Sequence, residues 1–278
     1  MKVSTLHRHR IARGIHSRYD RDELRRRLSA VDLVACDIDE CLFPGFSQTS
    51  LGHQIFYHIV TRPTAATDIR FVPQLLHGGA YIRKVKLLRR LGRTPSNATL
   101  MRRYEHSMWA IPREYFDNGV RTVVERSFDG VPRTLALLGR QARVGLVSFG
   151  IHLIAEEYVR QLNRMAGGPF VVFAEANPID FQPGADGRPV FAGYNPPPRT
   201  EPRHKREALQ RQLDRFGARC PLVFGNGRDE GAMSDLARER GGLSLGFCPT
   251  PRDEAAFDLV VHRRDWRPIA GLVQALLG

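Results

Sequence analysis

Lysine is scarce in this chain: four of the 42 basic residues (Lys2, Lys84, Lys86, Lys205) are lysine, and the rest are arginine. Codon composition alone can produce such a bias. Cysteine is equally sparse, and Cys36, Cys41, Cys220 and Cys248 form no CxxC pair. Reduced, packing cysteines in a cytoplasmic protein are therefore expected. No apolar run approaches the roughly 20 residues that a membrane span needs. The opening MKVSTLHRHRIARG has no apolar centre, so it is not read as a secretory leader. His53 and His58 are five apart and do not share a helix face, which argues against a zinc pair. Acids are missing from one long stretch: residues 69–104 hold nine Lys/Arg and no Asp or Glu.

What is present is an ordinary globular composition, 42% hydrophobic and 26% charged over 278 residues. That length suits one large domain or a core with a smaller attachment. The net charge of +13 is unevenly spread. Residues 1–29 carry nine Lys/Arg against three acids and read as a solvated basic arm. The acid-free stretch points to an anionic partner: a phosphorylated substrate, nucleic acid or an acidic membrane surface.

Short apolar runs recur at Leu33–Cys36, Val144–Val147, Phe170–Ala174, Pro221–Phe224, Leu243–Phe247 and Leu259–Val261, with helical patterns between them. Continuous apolar strands alternating with helices predict an α/β fold, a doubly wound parallel sheet covered on both faces. The rhythm breaks between Phe43 and about Ser127. There the spacing Ile82, Val85, Leu88, Leu91 predicts a helical insertion with that stripe as its core. The expected organisation is a basic arm over 1–30, a core of 31–43 plus 127–278, and a helical cap over 44–126. Asp186-Gly187 within FQPGADGRPVFAG signals a hairpin.

In open α/β sheets ligands gather at the carboxyl ends of the strands. In LVACDIDECLF, Asp37 and Asp39 leave such an end two residues apart. Like charges that close are unfavourable unless a cation joins them or one carboxyl keeps its proton. The pair therefore suggests a metal-assisted site with one nucleophile and one acid/base, although a lone DxD is more often a turn cap. VGLVSFG ends a strand at Ser148, with Phe149 and Gly150 expected to open a helix whose free N–H groups would bind an anion. RHKREAL puts Lys205 near a helix start, where it could meet a phosphate. GNGRDEGAM offers Asn226, Asp229 and Glu230, oxygen donors of the kind Mg²⁺ accepts.

Taken in order, DIDEC, SFG, HKREAL and GNGRDEGAM resemble the four motifs of the haloacid dehalogenase-like hydrolase superfamily, and within it the phosphoserine phosphatase-like branch. The resemblance covers about 31–43 and 127–277. It implies a Rossmann-like core with a cap after the first strand, and a Mg²⁺-dependent phosphomonoester phosphatase acting on a small phosphorylated substrate. It assigns Asp37 as the nucleophile that becomes an aspartyl-phosphate and Asp39 as acid/base. Ser148, the Phe149 N–H and Lys205 would bind the phosphoryl group, and Asp37, Asp39, Asn226, Glu230 and Asp229 would surround the metal.

Four positions depart from the family pattern. Cys41 stands where Thr or Val is usual, and Phe149 replaces a common Gly. Asn226 and Glu230 stand where Asp is usual. Asn keeps an oxygen ligand but loses a charge, so weaker Mg²⁺ binding is implied with activity retained. The competing expectation is a catalytically weak relative that holds phosphate, nucleic acid or an acidic membrane through its basic cap.

Overall fold

The computed structural model describes residues 8–91, 93, 95–124 and 127–277. The chain starts with strands β1 (His9–Ala12) and β2 (Ile15–Ser17) and helix α1 (Arg21–Ser29), then enters β3 (Leu33–Cys36). Helices α2 (Ser47–Thr61), α3 (Val72–Arg90), α4 (Asn97–Met108) and α5 (Arg113–Val124) follow. The β–α rhythm resumes with α6 (Val131–Leu138), β4 (Arg143–Ile151), α7 (His152–Ala166) and β5 (Val171–Asn177). A separate hairpin of β6 (Ile179–Pro183) and β7 (Pro189–Tyr194) comes next. It precedes α8 (Pro202–Phe216), β8 (Pro221–Gly225), α9 (Gly231–Glu239), β9 (Leu243–Phe247), β10 (Leu259–Val261) and α10 (Arg267–Leu277).

The main sheet runs β1-β2-β10-β9-β8-β3-β4-β5. From β10 to β5 every pairing is parallel. Alternation along β3 explains why its four residues are all buried. Leu33 and Ala35 pack with Leu209, Leu213, Met233 and Leu236 of α8 and α9. Val34 and Cys36 join the opposite core with Leu24, Leu135 and Ile269 of α1, α6 and α10. This is the expected doubly wound sheet. Strand order reverses between β3 and β8, and ligands bind at such a switch point. No helix among the described residues is long and apolar enough to cross a membrane.

Two expectations need correction. Residues 8–30 are not a solvated arm; residues 1–7 lie outside the described residues. β2 pairs antiparallel with β10, and the Arg8 guanidinium donates to the carbonyls of Glu254, Phe257 and Asp258. An edge as short and apolar as β10 needs a covering strand, and Ile15 and Ser17 supply its buried face. The α3 stripe is also only partly core. Val85 is buried, Ile82 and Leu88 are half-buried, and Leu91, one residue past the end of α3, is 66% exposed. Of the insertion's aromatics, Tyr115 is buried while Tyr57 and Trp109 are largely exposed.

The β6–β7 hairpin fastens the helical insertion to the core. Ala110 donates to the Phe191 carbonyl and the Phe191 N–H to Ile111, each at 2.9 Å. At the hairpin tip, Arg188 reaches the fully buried carboxylate of Asp68 at 2.7 and 3.0 Å and Glu114 at 2.9 Å. The Arg188 hydrogen bonds hold the Asp68 carboxyl well below its ordinary range. Arg188→Ala should destabilise by about 3 kcal/mol, because a buried carboxylate loses its cation. A depressed carboxyl contributes stability above its unfolded pKa and loses it as pH falls through its folded value. The deficit of Arg188→Ala in urea unfolding should therefore be full at neutral pH and shrink in strong acid. A pH-independent deficit would rule out this pair as its source.

Candidate active site

Site geometry begins at the ends of β3 and β8. The Asp37 N–H donates to the Phe224 carbonyl at 3.0 Å, which locks the two strand ends side by side. The chain then turns sharply. The Ile38 carbonyl accepts from the N–H groups of Cys41, Leu42 and Phe43, and Glu40 adopts a left-handed φ of 57°. That turn buries Cys41, whose carbonyl accepts from the Trp266 indole at 2.9 Å. A small side chain at 41 fits this packing. Asp39 Oδ1 accepts from the Ser47 N–H at 2.9 Å, which ties its carboxyl to the start of α2.

Asp37, Asp39, Ser148, Phe149, Lys205, Asn226, Asp229 and Glu230 all line one cavity of about 180 Å³. Every residue expected at the site thus lies around one space at the switch point. Lys205 is the hub. It is 3% exposed, and its ammonium donates to Asp37 Oδ1 at 2.7 Å and Glu230 Oε1 at 2.5 Å. The Phe149 ring faces the same ammonium at 4.7 Å. Burial alone would lower the Lys205 pKa, but the Asp37 and Glu230 carboxylates outweigh it and hold it above the ordinary value. Burial raises Asp37, with Lys205 pulling it back. Burial also raises Asp39, opposed by its hydrogen bond from Ser47.

Ser148 sits inside β4 rather than at a helix cap. Strand conformation continues to Ile151 and α7 begins at His152. The Asn177 side chain donates to the Phe149 carbonyl at 2.7 Å, which holds the segment extended. Ser148 Oγ accepts from the Gly150 N–H at 3.0 Å, leaving its own proton free for a ligand.

Glu230 folds back beneath β8. A Cβ at position 225 would lie 2.2 Å from Glu230 Cγ, so only glycine fits there. Glu230 Oε2 accepts from the N–H groups of Asn226 and Gly227 at 3.2 and 2.9 Å. With Oε1 on Lys205, both Glu230 oxygens are engaged. The less committed oxygens of this turn belong to Asn226 and Asp229. Asp229 Oδ2 accepts from Asn97 Nδ2 at 2.9 Å. Asn97 was not singled out from the sequence: Ser96 marks a helix start, but nothing local announces a partner 132 residues away. Gln48, which donates to the Tyr194 hydroxyl at 3.0 Å at the cavity wall, was missed for the same reason.

Among the described residues, no three His, Cys, Asp or Glu side chains stand together as a metal cluster. A cation here must also use the Asn226 amide and backbone carbonyls. Mg²⁺ accepts such a set and keeps several waters. Charge favours it: four carboxylates (Asp37, Asp39, Asp229, Glu230) face the ammonium groups of Lys86 and Lys205 in the cavity wall. The residues present fit a divalent cation.

No family model and no curated protein matches the chain. Solved structures do. A phospho-aspartyl intermediate analogue of phosphoserine phosphatase aligns at TM-score 0.57 and 18% identity, covering 87% of this chain and 98% of that one. Cytosolic 5'-nucleotidase IIIB bound to cytidine aligns at 0.58 and 14%, covering 96% of both. A HAD-family hydrolase from Salmonella enterica serovar Typhi aligns at 0.56 and 13%, covering 83% of this chain and 67% of that one. The chain has the haloacid dehalogenase-like fold. At these identities the haloacid dehalogenase-like architecture is what is shared, and the chemistry has to be argued from the cavity.

Proposed function

We propose that the protein is a Mg²⁺-dependent phosphomonoester phosphatase working through an aspartyl-phosphate on Asp37. The observation that carries this reading is the convergence of Asp37, Asp39, Ser148, Lys205 and Asn226 on one cavity. Asp37 Oδ1 is held by Lys205, which leaves Oδ2 to attack phosphorus. The ester P–O bond breaks as the acyl-phosphate bond forms, and Asp39, whose pKa is raised by burial, protonates the departing alcohol. Asp39 then takes a proton from the water that releases inorganic phosphate. The Ser148 hydroxyl and Lys205 ammonium would hold the phosphoryl oxygens. Asp37, the Asp39 carbonyl, Asn226 and Asp229 would hold Mg²⁺, while Glu230 steadies Lys205. The bound cation supplies neutralisation of phosphoryl charge. All four cysteines are free, in keeping with a cytoplasmic enzyme.

The test is phosphate release from a generic aryl phosphate: expected with Mg²⁺, stopped by chelator and restored by added Mg²⁺. Absence of release under all these conditions would sink the reading. Asn226→Asp restores a negative ligand and should lower the Mg²⁺ concentration for half-maximal rate about tenfold. An unchanged Mg²⁺ requirement would remove position 226 from the metal's surroundings.

A further inference from the structure

Beside the phosphate-sized cavity lies a larger one of about 370 Å³, enclosed by α2, α3 and α4. The two share Gln48, Thr49, Ile82, Lys86, Leu100 and Tyr104 as common wall. The larger cavity is faced by Phe56, Leu75, Tyr81 and Met108, and among the described residues no Asp or Glu lines it. Its charged residues are all basic: Arg83, Lys86 and Arg103.

One feature shows that packing alone does not account for this space. Gly78 and Gly79 sit inside α3, where glycine is a poor helix former. At Gly78 a Cβ would come 2.8 Å from Ser107 Cβ, so close helix approach explains that residue. At Gly79 nothing stands within 4 Å of an added Cβ. Packing does not demand glycine there, and its missing side chain leaves the cavity open.

We propose that the phosphate ester hydrolysed here carries a bulky, mainly apolar alcohol, which fills the second cavity. This rests on the first cavity being the phosphoryl site. An alcohol bearing an ammonium group, such as serine, would meet Arg83, Lys86 and Arg103 with no carboxylate in that wall to answer its charge.

Decyl phosphate and 2-naphthyl phosphate should give kcat/KM about tenfold or more above O-phosphoserine and glycerol phosphate. Gly79→Leu fills the open space and should cut that ratio about tenfold, through KM for the apolar esters. Gly79→Ala, a milder change that favours the helix, should fall between. A preference for the polar esters, or a ratio indifferent to both variants, overturns the proposal. Calorimetry with decylphosphonate, which has no ester to cleave, separates the two readings. Tighter binding by the wild type than by Gly79→Leu supports the cavity assignment, and equal binding overturns it. Retained decylphosphonate binding without any turnover would sink the phosphatase reading alone.

Discussion

Asp37→Asn is expected to lower phosphate release by about 10⁴-fold or more, because removing a covalent nucleophile forfeits the whole two-step route. The same change should leave the fold intact. Asp37 is buried and its carboxyl is pushed up by burial, so an amide of the same shape relieves a desolvated charge while still accepting from Lys205. A dead enzyme with wild-type Tm therefore identifies a chemical loss. Residual activity within about tenfold of wild type would exclude an aspartyl-phosphate on this residue.

The second large effect is on stability. Lys205 compensates two carboxylates that are 5% and 2% exposed, Asp37 and Glu230. Lys205→Met keeps the length of the side chain and removes the charge, stranding both acids. Loss of one partner from a buried ionic cluster costs about 3–5 kcal/mol, which for a chain of this size lowers Tm by about 10 °C. Adding Glu230→Gln to Lys205→Met should recover part of the loss, since one stranded charge disappears with it. A single variant within about 1 kcal/mol of wild type would mean that other groups already balance these carboxylates.

Much of the site was legible because its residues sit where continuous apolar runs stop. Leu33–Cys36 and Pro221–Phe224 are buried on both faces, and such strands can only be central in a covered sheet. Asp37 and Asn226 then had to emerge at neighbouring ends. The first residues after Ser148 were harder. A bulged strand and a helix start look alike in FGIHL, and the side chain of Asn177, outside that segment, decides between them. Long-range polar contacts left no local trace at all. Asn97 on Asp229 and Arg188 on Asp68 are each the choice of an unremarkable polar residue whose partner is distant in the chain. The α3 stripe misled because helical periodicity reports an apolar face and not what that face touches.

The hairpin at the sheet's edge has a consequence for how the molecule is made. Its second strand, Ile15–Ser17, has its register partner in Leu259–Val261, about 240 residues further along. During synthesis this hairpin must wait, undocked, until almost all the strands after it have emerged. The sheet is thus sealed last by residues made long before the strand they join, and its final closure has the slowness of a very distant contact.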